Sequence, residues 1–234
     1  MNFDENTDIV IVTSHFSEDL NWLNQSPFPV IVSTNNNCFR MNFTGNVTLD
    51  EACRAHINIG REASAYLRFI VNYYNKLPKH IAFIHGHEHA WHQRFPGSLF
   101  EAIRRAKCDH YDFISLNLHH SPSDLLVPGN MYFEAAKHIW PLLFQPHVGK
   151  PYPEAIKRMD LGAQFIVSRN AIKKYPLDVW KGWLHATSTP GLLHHHYEKL
   201  IAWSFEYSWH ALFGENFEYE EDENQYLHNR FHDS

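Results

Sequence analysis

No stretch of the 234-residue chain stays apolar for the roughly 20 positions that a bilayer span needs; runs such as IVIV and IAFI end almost as soon as they begin. A basic region leading into an apolar core is missing at the N-terminus, where Asp4, Glu5 and Asp8 stand instead. This argues against a secretory leader and predicts a soluble intracellular or cytoplasmic protein. Cysteine is scarce: Cys38, Cys53 and Cys108 are odd in number, widely spaced and without a CxxC pair, so they read as free thiols in a reducing compartment. Excess positive charge is lacking too, with 20 Lys+Arg against 26 Asp+Glu for a net of −6. Glu215, Glu218, Glu220, Glu221, Asp222 and Glu223 account for that whole imbalance and leave the rest of the chain neutral. A nonspecific nucleic-acid binder, which carries a basic face, is therefore disfavoured.

Signature motifs are absent as well. No GxGxxG follows the first expected strand and no GxxxxGK[ST] occurs, so neither a dinucleotide fingerprint nor a P-loop is indicated. No GxSxG provides a nucleophile elbow. The segment HEHAWH is not HExxH, because His87 and His92 are five residues apart rather than four, which excludes a metalloprotease helix. What is present is the composition of one compact domain with a sizeable core, 44% hydrophobic and 15% aromatic. The 19 histidines predict a reversal of net charge on modest acidification if most are exposed.

The order of segments reads as α/β. DIVIVTSHF places a strand at Ile9 to Val12, a brief helix-like segment follows Ser17, and PFPVIVSTNNN supplies a second strand and a turn. Asn58-Ile59-Gly60-Arg61-Glu62 opens a helix with Ala63, Leu67, Ile70, Val71 and Tyr74 on one face, stopped at Leu77-Pro78. Strands are expected at Ile81 to Ile84, Phe113 to Leu118 and Gly162 to Ser168, with short helices around Leu99 to Ala106, after Arg169-Asn170 and over Leu177 to His185. Prolines divide residues 119–157, which read as an insertion or lid holding one helix, Met131 to Leu143. The longest helix is expected from Tyr197 to Leu212, before Gly214. Residues 1–214 thus form one α/β domain, and 215–234 read as a solvated acidic tail.

The densest chemistry lies in FIHGHEHAWHQ, where a strand ends at His85, Gly86, His87, Glu88, His89 and His92. Open α/β sheets hold ligands at the carboxyl ends of their strands. In an extended segment His85 and His87 point the same way and are able to share a metal or a phosphate; the other reading is hydrogen-bonded histidines without metal. His119-His120 and His194-His195-His196 read as surface or helix-start histidines. Asp109 and Asp112 precede a strand and belong to a turn. Thr13-Ser14-His15 with Glu18-Asp19, the HGHEH segment, and Asp160 ahead of the strand leading to Ser168-Arg169 gather at three strand ends. Arg61 at a helix start is able to add a charged fork suited to a diphosphate; taken alone, the other reading is an ordinary capping or ion-pair arginine. Trp91, beside the histidines, is the tryptophan best placed to stack on a sugar; Trp180, Trp183, Trp203 and Trp209 read as packing residues, and Trp140 falls in the lid.

The segments VTSHFSEDLNWL, NIGREASAYLRFIVNYYNKLP, IAFIHGHEHAWH and LGAQFIVSRNAI resemble an uncharacterised family called domain of unknown function 3431, with viral and fungal members, over most of residues 8–214. That family is similar to nucleotide-sugar-dependent glycosyltransferases of the GT-A type. The resemblance implies a single-domain GT-A-like (Rossmann-like) fold, a mixed, mostly parallel sheet flanked by helices. It also implies transfer of a sugar from a nucleotide-diphosphate donor to a carbohydrate or other hydroxyl acceptor. Thr13, His15 and Glu18 would then sit by the nucleoside, and Asn58, Gly60 and Arg61 would face the base or diphosphate, with Trp91 and Arg169 completing the donor site. Where GT-A enzymes present Asp-x-Asp for Mn²⁺ or Mg²⁺, this chain has His85-Gly86-His87. Imidazoles suit those hard ions less than oxygen ligands do, so a metal-independent mechanism stands beside the metal-dependent one. Glu88, Asp160 and Glu206 are the candidates to accept the acceptor's proton. Two other functions fit the same residues: a metal-dependent phosphoesterase or other hydrolase, and a non-catalytic nucleotide- or sugar-binding module.

Overall fold

A computed structural model of the chain describes residues 3–36, 38–55, 58–95, 98–118, 131–152, 162–188, 195–215 and 221–232, with backbone alone at 131–132 and 195–199. Its elements in chain order are β1 (Ile9–His15), β2 (Val30–Thr34), β3 (Val47–Leu49), α1 (Arg61–Tyr73), β4 (His80–His85), α2 (Leu99–Arg105) and β5 (Phe113–Ser115). There follow α3 (Met131–Leu143), α4 (Gln145–Val148), β6 (Phe165–Ser168), α5 (Arg169–Lys173), α6 (Leu177–Ser188), α7 (His195–Glu206), α8 (Trp209–Leu212) and α9 (Glu223–Arg230). The strands form one six-stranded mixed sheet in the order β3-β2-β1-β4-β6-β5.

Alternation along each strand divides the core into two layers. Val10, Val12, Ile31, Ile81, Phe83, Phe165 and Val167 face α1 and the helices α3, α6, α7 and α8. Ile11, Val30, Val32, Ala82, Ile84 and Ile166 face the opposite layer, made by Leu20, Trp22 and Leu23, by α2, and by Tyr226 and Phe231. Both faces of the central strands are thus covered, which is why they read as unbroken β-branched runs rather than as alternating ones. α1 buries Ala63, Tyr66, Leu67, Phe69, Ile70 and Tyr73 on the sheet, the three-to-four spacing expected of one helix face.

The sheet is mixed, as expected: β1 pairs in parallel with β2 and β4, and β2 with β3, while β6 runs antiparallel to both β4 and β5. Several other expectations are corrected. β5 ends and β6 begins at the same edge, and α3 and α4 between them pack in the layer that holds α1. That connection is no lid where it is described, because Ala136, Trp140 and Phe144 are buried and α3 packs along α7. The long last helix is broken at Tyr207 and Ser208 into α7 and α8. β3 has no counterpart in the sequence reading, because three residues carry too little pattern. The acidic end is not a solvated tail over residues 221–232: Asp222 caps α9 through the Gln225 amide, Tyr226 and Phe231 enter the core, and Glu221 is buried against Arg230 at 2.9 Å. No helix of the described residues is long and apolar enough to cross a membrane.

Candidate active site

The order β3-β2-β1-β4 places the reversal of chain direction at β1, and open sheets bind ligands beyond the carboxyl ends of strands at such a point. β1 ends here at His15, β2 at Thr34 and β4 at His85, with the N-terminus of α1 beside them. Two left-handed residues begin α1. Gly60 has φ 74°, and a Cβ there would lie 2.6 Å from the Thr187 carbonyl oxygen and 2.8 Å from the Ser64 Cβ, so only glycine fits. Arg61, at φ 46°, is the one positive-φ residue other than glycine among the described residues. Its carbonyl is held by the Asn35 side-chain amide at 2.9 Å and the Ser64 hydroxyl at 3.0 Å, while Asn35 also donates to the Asn58 side chain at 3.0 Å. Such conformations cost on the order of 1–3 kcal/mol and persist where surroundings over-determine them. The result is that the exposed Arg61 guanidinium lies over the Trp203 ring, 5.8 Å from its centroid.

Glu206 lies one turn beyond Trp203 on α7. Burial, reinforced by the Glu62 carboxylate and opposed by Arg61, raises its carboxyl to about 8. It is therefore mostly protonated at neutral pH. Across the edge, burial drives His85 down to about 4, with Glu62 opposing and His92 and His87 adding to the depression. His92 is also lowered by burial, partly offset by its hydrogen bond to Asn117. The two rings meet edge to face, with centroids 5.3 Å apart. Glu62, which sequence reasoning passed over as a helix opener, exerts its charge, alongside the larger effect of burial, on His85, His92, Tyr66 and Glu206 alike. An acid in the first turn of α1, directly after Arg61, was the signal available for it.

Glu18 closes the other side. Burial pushes its pKa up, but the Phe16 and Ser17 amides, donating to Oε2 at 2.7 and 3.0 Å, outweigh that and hold it below the usual carboxylate range. Its Oε1 lies 3.8 Å from Nε2 of the exposed His87. Gly86 lets the end of β4 nest here, since a Cβ would meet the Ser14 carbonyl oxygen at 3.0 Å and Glu18 Oε2 at 3.1 Å. Glu18, His87 and Glu88, with Asp19, Asn21, Trp22 and Gln25, line a pocket of about 450 Å³. Trp91, 84% exposed, lies against His92.

The expected site residues therefore separate. Glu18, Arg61, His85, His87 and Glu206 gather at this edge, with Asn58 and Gly60 shaping the turn and Glu88 and Trp91 on the rim. Thr13 and His15 belong to the opposite face of the sheet by strand alternation. Thr13 is buried and donates to the His85 carbonyl at 3.1 Å, pinning β4 rather than opening to a ligand. His15 is buried, hydrogen-bonded to Thr34 at 2.9 Å, and packed on Phe39 at 3.8 Å between centroids; burial lowers its pKa against the opposing charge of Glu18, so it touches the site only from beneath, through that carboxylate. Arg169 lies at the other end of the sheet, where antiparallel β6 delivers it. It donates to the Pro78 and Glu5 carbonyls and, with Lys79, His80 and Asp112, lines a separate pocket of about 540 Å³. Asp160, His119, His120 and His194 lie outside the described residues, as do the side chains of His195 and His196.

No three His, Cys, Asp or Glu side chains among the described residues are grouped so as to hold one ion. His85 and His87 alone do not fit Mn²⁺ or Mg²⁺, which take near-complete oxygen shells.

Comparison with curated proteins and with solved structures gave no match. The profile of one family, described as "Protein of unknown function (DUF3431)", aligns with residues 10–228. Spanning nearly the whole folded chain, that alignment shows that the protein belongs to the DUF3431 family.

Proposed function

We propose that the protein is a nucleotide-sugar-dependent glycosyltransferase with a GT-A-like domain, transferring a sugar from a nucleotide-diphosphate donor to a hydroxyl acceptor. The observation that carries this reading is Arg61, held in a left-handed conformation by Asn35 and Ser64, beside a neutral carboxyl at Glu206 and at the reversal point of the sheet. Arg61 supplies a fork for phosphate oxygens. Glu206, carrying its proton at neutral pH, adds a donor where a carboxylate would repel the diphosphate. Both stabilise charge as it grows on the departing phosphate, and a partly desolvated edge makes that stabilisation larger than in water. Trp203 and Trp91 offer flat apolar surface to a base and a sugar.

The test is a thermal-shift panel of nucleoside diphosphates and their sugars, with and without Mn²⁺. A ligand at 100 times its dissociation constant stabilises by about 2.7 kcal/mol, and a chain of this size gains roughly 2–4 °C per kcal/mol. A rise of about 5–10 °C with at least one diphosphate, shared by its sugar conjugate, is expected. A flat response across the panel defeats the reading.

A further inference from the structure

Beyond β5 and ahead of β6, two buried carboxamides face each other at the same edge: Asn117 and Gln164, both fully buried. Backbone groups at each end decide which way they point. The Gln164 carbonyl can only accept, and Asn117 Nδ2 donates to it at 3.2 Å. The His85 amide can only donate, and Gln164 Oε1 accepts from it at 3.4 Å. The remaining Gln164 Nε2 then donates to Asn117 Oδ1 at 3.3 Å. With both amides fixed, Asn117 Oδ1 is an acceptor, and it lies 2.7 Å from His92 Nδ1. His92 must carry its proton on Nδ1, which leaves the Nε2 lone pair without a hydrogen-bond partner among the described residues.

We propose that His92 is the proton acceptor of this site and that Asn117 and Gln164 are positioning residues that hold it as the Nδ1–H tautomer. The step rests on the transferase reading above. The acceptor hydroxyl gives its proton to Nε2 as its oxygen forms a bond to the anomeric carbon. The bond from that carbon to the donor phosphate breaks, and its electron pair leaves on the nucleoside diphosphate. Imidazolium formed at His92 is met by the Glu62 carboxylate, while His87 and the neutral His85 ring complete the charged and titratable surroundings. Two carboxamides are costly to bury unless satisfied. Here they satisfy each other, the backbone of β4 and His92, so the geometry has a purpose in presenting one ring nitrogen.

Ring ¹⁵N–¹H correlation spectra of the full chain read the tautomer without any substrate. The wild type is expected to show His92 protonated at Nδ1 alone at neutral pH; protonation at Nε2 instead overturns the proposal. Asn117→Leu should mix the tautomers, with Asn117→Asp, which keeps the acceptor oxygen, restoring the Nδ1 form; an unchanged ring in a folded Asn117→Leu protein removes the positioning role. His92→Gln should keep nucleotide-diphosphate affinity within about twofold and lose about 10²–10⁴-fold in turnover, the range of a general base. Full turnover in that variant sinks the assignment. Failure of the wild type to bind any nucleoside diphosphate would instead sink the transferase reading while leaving the tautomer result intact.

Discussion

Replacing Gly60 by alanine tests whether the turn that presents Arg61 is built as described. Two costs add. A side chain held at φ 74° pays the left-handed penalty of roughly 1–2 kcal/mol. The new methyl group also lies 2.6 Å from the Thr187 carbonyl oxygen and 3.0 Å from the Thr187 Cβ, neither of them at the end of a flexible side chain. Forced overpacking of this kind costs typically about 1–3 kcal/mol, so Gly60→Ala should lose about 2–5 kcal/mol, a large share of the ~5–15 kcal/mol that holds a domain together. Gly149 supplies the control, because it has φ 75° but nothing within 4 Å of the place a methyl group would occupy. Gly149→Ala should therefore show the strain without the clash. Urea unfolding of both variants, compared at equal slope, separates the two contributions. A Gly60→Ala protein that unfolds within about 0.5 kcal/mol of Gly149→Ala would refute the packing of α1 against the end of α6, since surface effects alone reach that size.

Glu206→Gln addresses the raised carboxyl. Because the folded value of about 8 exceeds the ordinary 4.5, the native state holds this proton more tightly than the unfolded chain. Its contribution is fully present below pH 4.5 and is lost as pH rises through 8. Glutamine cannot ionise, so the variant should match the wild type near pH 5 and exceed it at pH 9 by about 2–4 kcal/mol, discounting the linkage of 1.36 kcal/mol per pH unit for residual solvent; parallel melting curves against pH would contradict this. Tyr226→Phe removes the acceptor for the Ser115 amide, 2.6 Å from the phenol oxygen, and should cost about 1–3 kcal/mol by leaving a buried N–H unpaired. A neutral result in chemical unfolding would mean that the C-terminal segment does not dock on β5. Thiol labelling of the native protein should modify exposed Cys38 first, because burial raises Cys53 and lifts Cys108 to about 12. Rapid labelling of all three would show that the native core opens.

Much of this fold was legible because hydrophobic patterning is strong where both faces of a strand are covered. Ile9 to Val12, the second strand and Ile81 to Ile84 sit at the centre of the sheet. Of the expected helix face, Ala63, Leu67 and Ile70 are buried in α1, while Val71 is half-buried and Tyr74 falls just past its end. Direction was not legible, since a buried strand such as Phe165–Ser168 looks alike whichever way it runs. Charge misled the reading of the C-terminus: six acids drew attention from Asp222, a good N-cap, and from Tyr226, whose ring is packed between the guanidinium groups of Arg94 and Arg230 at 4.0 and 4.3 Å. At the site, the sequence exposes residue types but not strand parity. His15 and His85 end neighbouring strands yet face opposite layers, and Arg169 follows the strand that runs the other way. Asn117 and Gln164 carry no motif at all; their role appears only when two backbone groups fix their orientation.

The central claim is that Arg61 binds the diphosphate of a nucleotide at this edge. Calorimetric titration of the best-binding nucleoside diphosphate into wild type and Arg61→Ala tests it directly. Loss of one charge-assisted bond, worth about 1.5–3 kcal/mol, predicts affinity weakened by roughly 10- to 100-fold, with melting temperature unchanged in the absence of ligand. Equal affinity in the two proteins would contradict the account.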